Sequence, residues 1–519
     1  MSIPPLLAPQ EPQLRIQLPA SLYASLWVNP TIETLTAGMQ HLYSLNYLLS
    51  YYLPHGVVAH PPQPGQLQWQ WQTRTLMFTD LAGFTSLTQT CAQKGVKGAQ
   101  FLADLLNTYF SKTLDVISVS GGDLLEFTGD AILVEFADDV PERAIAKAIR
   151  AGLRLQRMMA EFAKVKTLAG ESAIAMRVGI HSGRFLAADV GTPMRMVRIL
   201  LGQTVRQAKQ AEGVGVVGRV CVTQTTAEQV PDTFRYELHQ PGYVLVHDDF
   251  DAATLGNFEI TLRQRRNPQR LLMLNRTSEE VSQEISQLAA KNVPLTTYIA
   301  PPVLKLLVEN ASDRSIPPML SRPTILFVNL LGLPEAADKV TSPAEETQLI
   351  KALSYLFAQI NGLVEAQNGF LQKWTYHLYA DILICFGIPN ARIDNAIRAA
   401  TVACQILQLV TEFPPVLIAQ QSIQVACQIG LAWGTVFAGE IGQSFGRRDY
   451  NALGNPVNGA AYLMSQAAPN QILMTDTVEQ EICREQDLLN IPLPFRYRPA
   501  GELQLKGHQH LTSVFELFS

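Results

Sequence analysis

Residues 74–85 read RTLMFTDLAGFT, a run of apolar, strand-forming residues that ends in an aspartate and a glycine turn. Roughly 250 residues later the pattern returns, as expected for an internal repeat. There, residues 323–333 read PTILFVNLLGL, with an asparagine where the first copy has its aspartate. A short apolar run bounded by a turn is typical of a buried strand. The two copies therefore indicate two related domains, each begun by such a strand.

The segments that follow each of these strands also recur in the same order. Each strand is succeeded by an amphipathic helix, a glycine-marked hairpin, a second helix, a strand with a glycine turn, and a third helix. The matched landmarks are Asp80 with Asn329, Phe136 with Phe386, Gly179 with Gly430, and Gly202 with Gly454. We therefore predict an α+β fold of two ferredoxin-like βαββαβ domains that pair face to face about a pseudo-twofold axis.

This organisation divides the chain into four parts. We expect an N-terminal helical extension over residues 1–65 and the first repeat domain over 66–265. A polar connector, expected to be partly helical, occupies 266–315. The second repeat domain occupies 316–519.

The composition excludes several classes of protein. The chain has 519 residues, of which 47% are hydrophobic and 16% charged, with a net charge of −5. These values exclude a largely disordered or fibrous chain and give no basic surface for nucleic acid. The six cysteines lack metal-ligand spacing, as expected for reduced thiols. Neither a signal peptide nor a membrane-spanning run is visible, so we expect a soluble, cytoplasmic protein.

Three strings connect the first repeat to a known family. FTDLAGFT at 78–85, FTGDAI around Asp130 and RVGIHSG at 177–183 resemble the signatures of class III adenylate and guanylate cyclases. GGDLLEFTGDAIL, RPTILFVNLL, FLQKW and YNALGNPVNGAA are most similar to the soluble, bicarbonate-responsive adenylyl cyclases. This resemblance implies a tandem cyclase pair that converts ATP to 3′,5′-cyclic AMP and pyrophosphate for intracellular signalling. It also implies one composite site with two Mg²⁺ or Mn²⁺ ions.

The first repeat carries the acidic half of the implied site. The resemblance assigns both metal ions to Asp80 and Asp130, with the backbone carbonyl of Leu81 as a further ligand. Carboxylate oxygens are the hard ligands that such ions prefer on a triphosphate. The turn after the first strand is expected to cradle phosphate groups with its backbone N–H groups. The residues implied to contact the triphosphate in this half are Phe84, Thr85 and Arg177.

The second repeat lacks these acids and carries the complementary groups. Asn329 replaces the first acid. The resemblance makes Lys373 the donor to adenine N1, which favours ATP over GTP, and Asn458 the residue that orients the ribose. Asn451 stands at the second adenine contact, and Lys506 matches a lysine on the γ-phosphate. The first repeat has the acids but not the groups for the base and ribose, and the second repeat has those groups but not the acids. We therefore predict that the two halves pair within the chain to complete one site.

Two departures from the family bear on activity and regulation. Tyr462 stands where the family has the arginine that stabilises the transition state, and a phenol supplies no fixed positive charge. Arg447 or Arg448 could lend a cation instead. At the regulatory pseudo-site, Glu126 replaces a lysine and Lys209 keeps a basic group, so these two are expected to pair. The alternative function is a weak or inactive pseudo-cyclase that binds ATP as a regulatory module.

Overall fold

The computed structural model describes residues 7–83, 87–88, 90–91, 94–167, 170–255, 276–443, 446–504 and 511–518. Two large β-sheets, one in each repeat, form its framework. Helices pack against these sheets, so the predicted pair of α+β domains is confirmed.

The N-terminal segment is helical. Its helices are α1 (Glu11–Gln17), α2 (Ala20–Val28), α3 (Ile32–Tyr52) and α4 (His55–Ala59). The longest, α3, begins after Thr31, whose hydroxyl oxygen accepts from the backbone N–H of Thr34 at 3.4 Å. Such a cap satisfies one of the backbone donors that the first turn of a helix leaves without a partner.

The first domain is built on eight strands of one sheet and a small hairpin. The strands are β1 (Gln68–Ala82), β2 (Gly122–Thr128), β3 (Ala131–Phe136), β4 (Val165–Thr167), β5 (Gly170–Ser172), β6 (Ala175–Gly191), β7 (Met196–Leu201), β8 (Val220–Thr223), β9 (Tyr236–Gln240) and β10 (Tyr243–Val246). The helices are α5 (Gly95–Val119), α6 (Pro141–Met158), α7 (Gln203–Val214), α8 (Gln224–Ala227) and α9 (Ala252–Leu255).

Two helices of the connector follow, α10 (Ser278–Thr296) and α11 (Pro301–Glu309). A capping box between Thr277 and Glu280 starts α10. This helix packs against α3 through a shared apolar cluster and through a 2.7 Å hydrogen bond from Asn46 to Asn292. The connector and the N-terminal extension therefore form one helical layer.

The second domain repeats the first. Its strands are β11 (Met319–Ser321), β12 (Thr324–Leu331), β13 (Phe370–Tyr376), β14 (Ala380–Phe386), β15 (Val416–Ile418), β16 (Gln421–Ile423), β17 (Ala426–Trp433), β18 (Val436–Gly442), β19 (Arg448–Leu453), β20 (Gln471–Thr475), β21 (Arg496–Leu503) and β22 (Thr512–Phe518). Its helices are α12 (Leu333–Ala336), α13 (Pro343–Ala366), α14 (Asn395–Thr411), α15 (Asn455–Gln466) and α16 (Asp476–Leu489).

The two sheets have the same strand order. The first reads β2-β3-β1-β6-β8-β10-β9, with β7 beside the far half of β6, and the second reads β13-β14-β12-β17-β20-β22-β21. In the second domain the long strands are divided, so that β11, β18 and β19 form a separate three-stranded arm. This correspondence makes β1 equivalent to β12 and β6 equivalent to β17 followed by β18.

Each domain extends its arm over the core of the other. Leu186 and Val190 of β6 lie in the main apolar cluster of the second domain. Phe437 and Ile441 of β18 lie in the cluster of the first domain. Burial of apolar surface in both directions stabilises the pair, and the predicted intramolecular pairing follows from this reciprocal exchange.

A glycine on each central strand lets a helix lie directly against the sheet. A Cβ atom added at Gly179 would lie 2.0 Å from the backbone nitrogen of Glu212 on α7. One added at Gly430 would lie 2.4 Å from the backbone nitrogen of Met464 on α15. The same close approach in both domains makes Glu212 and Met464 equivalent positions. None of the helices in the described segments is both long and apolar enough to cross a bilayer.

Candidate active site

Two aspartates meet at one end of the first domain's central strands. Asp80 lies near the end of β1, and Asp130 lies in the turn between β2 and β3. Thr79 of β1 pairs with Ile132 of β3. Asp80 is the next residue of β1 and Asp130 lies two residues before Ile132, so both lie at the same end of the sheet. Burial, and then the negative charge of Asp80, raise the pKa of Asp130. Two carboxylates that repel each other in this way favour a bound cation.

Basic side chains balance this acidic pair. Arg177 of β6 faces Asp80 across the sheet, and its Nη2 donates to Asp80 Oδ2 at 2.7 Å. The same guanidinium lies 3.0 Å, from Nε to Oε1, from Glu212 of α7. Lys209 Nζ is 2.6 Å from the other oxygen of Glu212. Sequence reasoning missed Glu212, because a glutamate near the end of a helix gives no sign of being buried.

The residues present fit a divalent cation that a nucleotide helps to hold. No group of three metal-binding side chains occurs among the described residues, so the protein alone offers an open site rather than a closed cage. Asp80 and Asp130 would supply two hard oxygen ligands, and a triphosphate would supply others. Leu81 follows Asp80 on β1 with its side chain in the core, and its proposed carbonyl ligand is part of the same strand end.

The residues of the second domain that were predicted to bind the base lie at the same interface. Lys373 of β13 donates to the backbone carbonyl of Phe127, three residues before Asp130. Its Nζ also lies 3.0 Å from Asp449 Oδ2. Asn451, on the same face of β19, donates to that carboxylate at 3.4 Å. Asp449, which the sequence reasoning did not single out, therefore joins the two predicted adenine contacts.

The remaining residues of the second domain lie around the start of α15. Asn458 is exposed in the first turn of this helix, after the N-cap Gly454 with its φ of 152°. Only glycine readily adopts that backbone conformation. One turn later, Tyr462 packs against an apolar cluster of its own domain that includes Leu463 and Val514. Phe84, Thr85 and Lys506 lie outside the described residues.

The suggestion that Arg447 or Arg448 lends a cation to the site is not supported by their contacts. Arg447 donates to the carbonyl of Tyr51 at the end of α3, at 2.9 Å. Arg448 donates to the carbonyl of Arg314 at 2.6 Å and lies 3.5 Å from Glu440. Both guanidinium groups thus fasten the helical layer to the arm of the second domain.

A family model described as the adenylate and guanylate cyclase catalytic domain matches this chain twice, over residues 69–255 and 320–516. The two matched regions together cover well over half of the chain and coincide with the two domains described above. The chain belongs to this cyclase family.

Two named relatives are similar to this chain over three quarters of its length. Adenylate cyclase type 10 of Rattus norvegicus is 24% identical over 411 residues, which cover 75% of this chain and 23% of the relative. The protein of the same name from Homo sapiens is 24% identical over 410 residues, with the same coverage. The chain thus spans less than a quarter of the length of these relatives.

One solved structure reproduces nearly the whole architecture. It is a class III adenylyl cyclase-like ATP-binding protein from Pseudomonas aeruginosa, with a TM-score of 0.54 at 11% identity. The match covers 86% of this chain and 93% of that protein. At this identity the likeness shows the fold alone, and the fold of two paired class III cyclase domains is therefore confirmed.

In the second domain, neutral residues stand at the positions equivalent to Asp80 and Arg177. Asn329 of β12 stands where the first domain has Asp80, and it pairs with Gln428 where that domain has Arg177. The amide of Asn329 donates to Gln428 at 2.7 Å, and its oxygen accepts from the backbone N–H of Ala380 at 2.8 Å. Both hydrogen-bonding sides of the Asn329 amide are thus engaged within the protein.

Glu126 and Lys209 do not pair as expected. Glu126 lies 2.8 Å from Nε2 of His377, on the hairpin of the second domain, whereas Lys209 pairs with Glu212. Lys209 also lies 5.5 Å from the ring centroid of Phe78, and the ring of Phe78 meets that of His377 edge to face at 4.8 Å. The expectation failed because an unpredicted histidine from the other domain lies nearer to the acid.

His377 is an interdomain cation that the sequence did not reveal. The residue is only 4% exposed, and Asp381 lies 3.5 Å from its Nδ1. Burial disfavours its charged form, but hydrogen bonds to Asp381 and Glu126 outweigh burial and raise its pKa to about 9. At neutral pH this side chain is therefore protonated between two carboxylates.

Proposed function

We propose that the chain is an adenylate cyclase that converts ATP to 3′,5′-cyclic AMP and pyrophosphate at one composite site. The observation that carries this proposal is the contact of Lys373 with the backbone of Phe127, three residues from Asp130. This contact supports the proposal because Lys373, the lysine that we propose to recognise the base, comes from one domain and Asp130 from the other. We further propose a role in intracellular signalling in the cytoplasm, which cell fractionation with a cyclic-AMP reporter would test.

The second domain would select and orient the nucleoside. A lysine ammonium has three donors, and Phe127 and Asp449 engage two of those of Lys373. The third is available for N1 of adenine, which accepts a hydrogen bond, whereas N1 of guanine carries a proton. Asn451 would contact the exocyclic group of the base, and Asn458 would orient the ribose so that its 3′-oxygen faces the α-phosphorus.

The first domain would hold the triphosphate. Mg²⁺ or Mn²⁺ held by Asp80, Asp130 and the carbonyl of Leu81 would supply positive charge to the phosphates and activate the 3′-oxygen. Arg177 lies beside Asp80 and would bind a β- or γ-phosphate oxygen. The remaining proposed phosphate contacts are Phe84, Thr85 and Lys506.

Turnover would be slow because Tyr462 replaces the transition-state arginine. Loss of one positioned charge donor typically lowers turnover by about 10²–10³-fold. We therefore expect weak cyclic-AMP formation from purified protein with ATP and Mn²⁺, and a rise of about that size in Tyr462→Arg. Tyr462→Phe is the matched control and should behave as the parent protein, while Asp130→Ala should abolish product. An absence of cyclic AMP from both the parent protein and Tyr462→Arg would contradict the proposal.

A pseudo-cyclase that binds ATP without turnover is the second candidate. The packing of Tyr462 against the apolar cluster of its own domain favours it, since a phenol held there supplies no positive charge to a phosphate. The structurally similar protein from Pseudomonas aeruginosa is described as ATP-binding. Equilibrium binding of ATP that requires Mn²⁺, with no product in either the parent or Tyr462→Arg, would establish this function instead.

A further inference from the structure

Glu212 is a buried carboxylate beside the proposed metal site. It lies on α7 with 1% of its surface exposed. Its two oxygens face two cations, Arg177 at 3.0 Å and Lys209 at 2.6 Å. A glutamate is almost never buried to this extent unless it is paired. The two ion pairs therefore account for its burial.

The two cations also face the metal-binding acids. Arg177 donates to Asp80 at 2.7 Å. Burial works against the charge of Lys209, but the negative charges of Glu212, Asp80 and Asp130 outweigh burial and raise the pKa of this lysine. With Glu212 present, three carboxylates face two fixed cations. Without it, two cations would face only the two acids that are proposed to bind metal, and would neutralise them.

The second domain provides an internal comparison. The close approach of Gly430 to the helix backbone places Met464 where the first domain has Glu212. Gln428 correspondingly replaces Arg177, and Asn329 replaces Asp80. The helix therefore packs against its strand equally well with an apolar residue at this position. The second domain thus lacks the acid, the arginine and the glutamate together. Glu212 therefore occurs where the acidic pair occurs, and the packing of the helix does not require it.

We propose that Glu212 is a positioning residue that holds Arg177 and Lys209 away from full pairing with Asp80 and Asp130. This keeps the two aspartates available to a divalent cation. The inference rests on the proposed metal role of those aspartates. We do not count Glu212 as a ligand of the ion, because Lys209 holds its Oε2 at 2.6 Å and no group of three metal-binding side chains occurs among the described residues.

The test is Mn²⁺ binding, measured by electron paramagnetic resonance in the presence of α,β-methylene-ATP, which cannot be cyclised. Glu212→Gln should weaken Mn²⁺ binding by at least about tenfold, because removing one unit charge even about 10 Å away at an effective dielectric of about 20 changes the affinity by about that factor. Glu212→Asp should retain part of the affinity. Adding Lys209→Met to Glu212→Gln should restore Mn²⁺ binding, because one competing cation is removed together with the anion.

The outcomes distinguish a role of Glu212 in positioning the two cations from a role in folding alone. If Glu212 only supported the fold, the double variant would bind Mn²⁺ no better than Glu212→Gln, and the inference would be overturned. Equal Mn²⁺ binding by Glu212→Gln and the parent protein would overturn it as well. If Glu212→Gln does not fold, Lys209→Met alone should bind Mn²⁺ more tightly than the parent, and unchanged or weaker binding would contradict the inference. A parent protein that binds no Mn²⁺ would refute the metal assignment itself.

Discussion

Replacing His377 by glutamine should change how the stability of the protein depends on pH. The imidazolium lies at the interface of the two domains, between Glu126 of the first and Asp381 of the second. The ring of Phe78 meets the imidazole edge to face, and Lys209 lies 5.5 Å from the centroid of that ring. Glutamine preserves a hydrogen-bonding side chain but removes the positive charge, and leaves two carboxylates facing each other.

The size of the effect follows from the pKa of His377. The folded protein raises this pKa from 6.5 to about 9, and each pKa unit corresponds to about 1.4 kcal/mol. Protonated His377 therefore contributes about 3 kcal/mol to the free energy of unfolding. Since the folded pKa lies above the unfolded value, this contribution is complete below pH 6.5. It is lost as the pH rises through about 9.

Urea unfolding of the parent protein and His377→Gln at several pH values between 6 and 10 measures this contribution. The variant should be less stable by about 3 kcal/mol near pH 6, and the two free energies should converge toward pH 10. Groups such as Glu485, whose pKa burial raises to about 7, titrate in both proteins and cancel in the difference.

His181 offers the matched control. Burial lowers its pKa to about 4 in the folded protein, so above about pH 7.5 it is neutral in both the folded and the unfolded state. His181→Gln should therefore shift the free energy of unfolding by a constant amount between about pH 8 and pH 10, where the contribution of His377 is lost. A difference between the parent protein and His377→Gln that stayed flat from pH 6 to pH 10 would refute the reasoning, because it would mean that His377 is not protonated in the folded state.

Two further predictions concern the substrate and regulation. Lys373→Glu exchanges the proposed donor to adenine N1 for an acceptor. The affinity for ATP should fall by at least about tenfold, the loss expected when a charged hydrogen bond is replaced by a repulsive contact. An unchanged dissociation constant in a fluorescent-ATP titration would mean that Lys373 is only an interface charge. Bicarbonate should not raise cyclic-AMP output at constant pH and ionic strength, since Glu126 already pairs with His377 and Glu212 with Lys209, whereas Glu126→Lys should move the protein toward a response. Activation of the parent protein by bicarbonate, but not by chloride, would count against this view.

The sequence by itself determined the tandem architecture. Apolar strand runs and glycines recur in the same order in both halves, and these features report directly on local backbone structure and burial. They identified two domains of one family, and the positions of Asp80, Asp130 and Lys373 within its signatures. The boundaries near residues 65, 265 and 315 and the roles of Phe84, Thr85 and Lys506 stay predictions.

Only the tertiary structure decided which charged groups face each other. Glu126 was expected to pair with Lys209, yet it pairs with His377, which lies 251 residues away along the chain. Nothing in the sequence distinguishes Glu212 and Asp449 from ordinary surface acids, and only the fold shows that each lies beside the candidate site. A sequence pattern specifies which face of a strand or helix is buried, but an ion pair depends on distance in space. Distances across the domain interface are set by how the two arms pack.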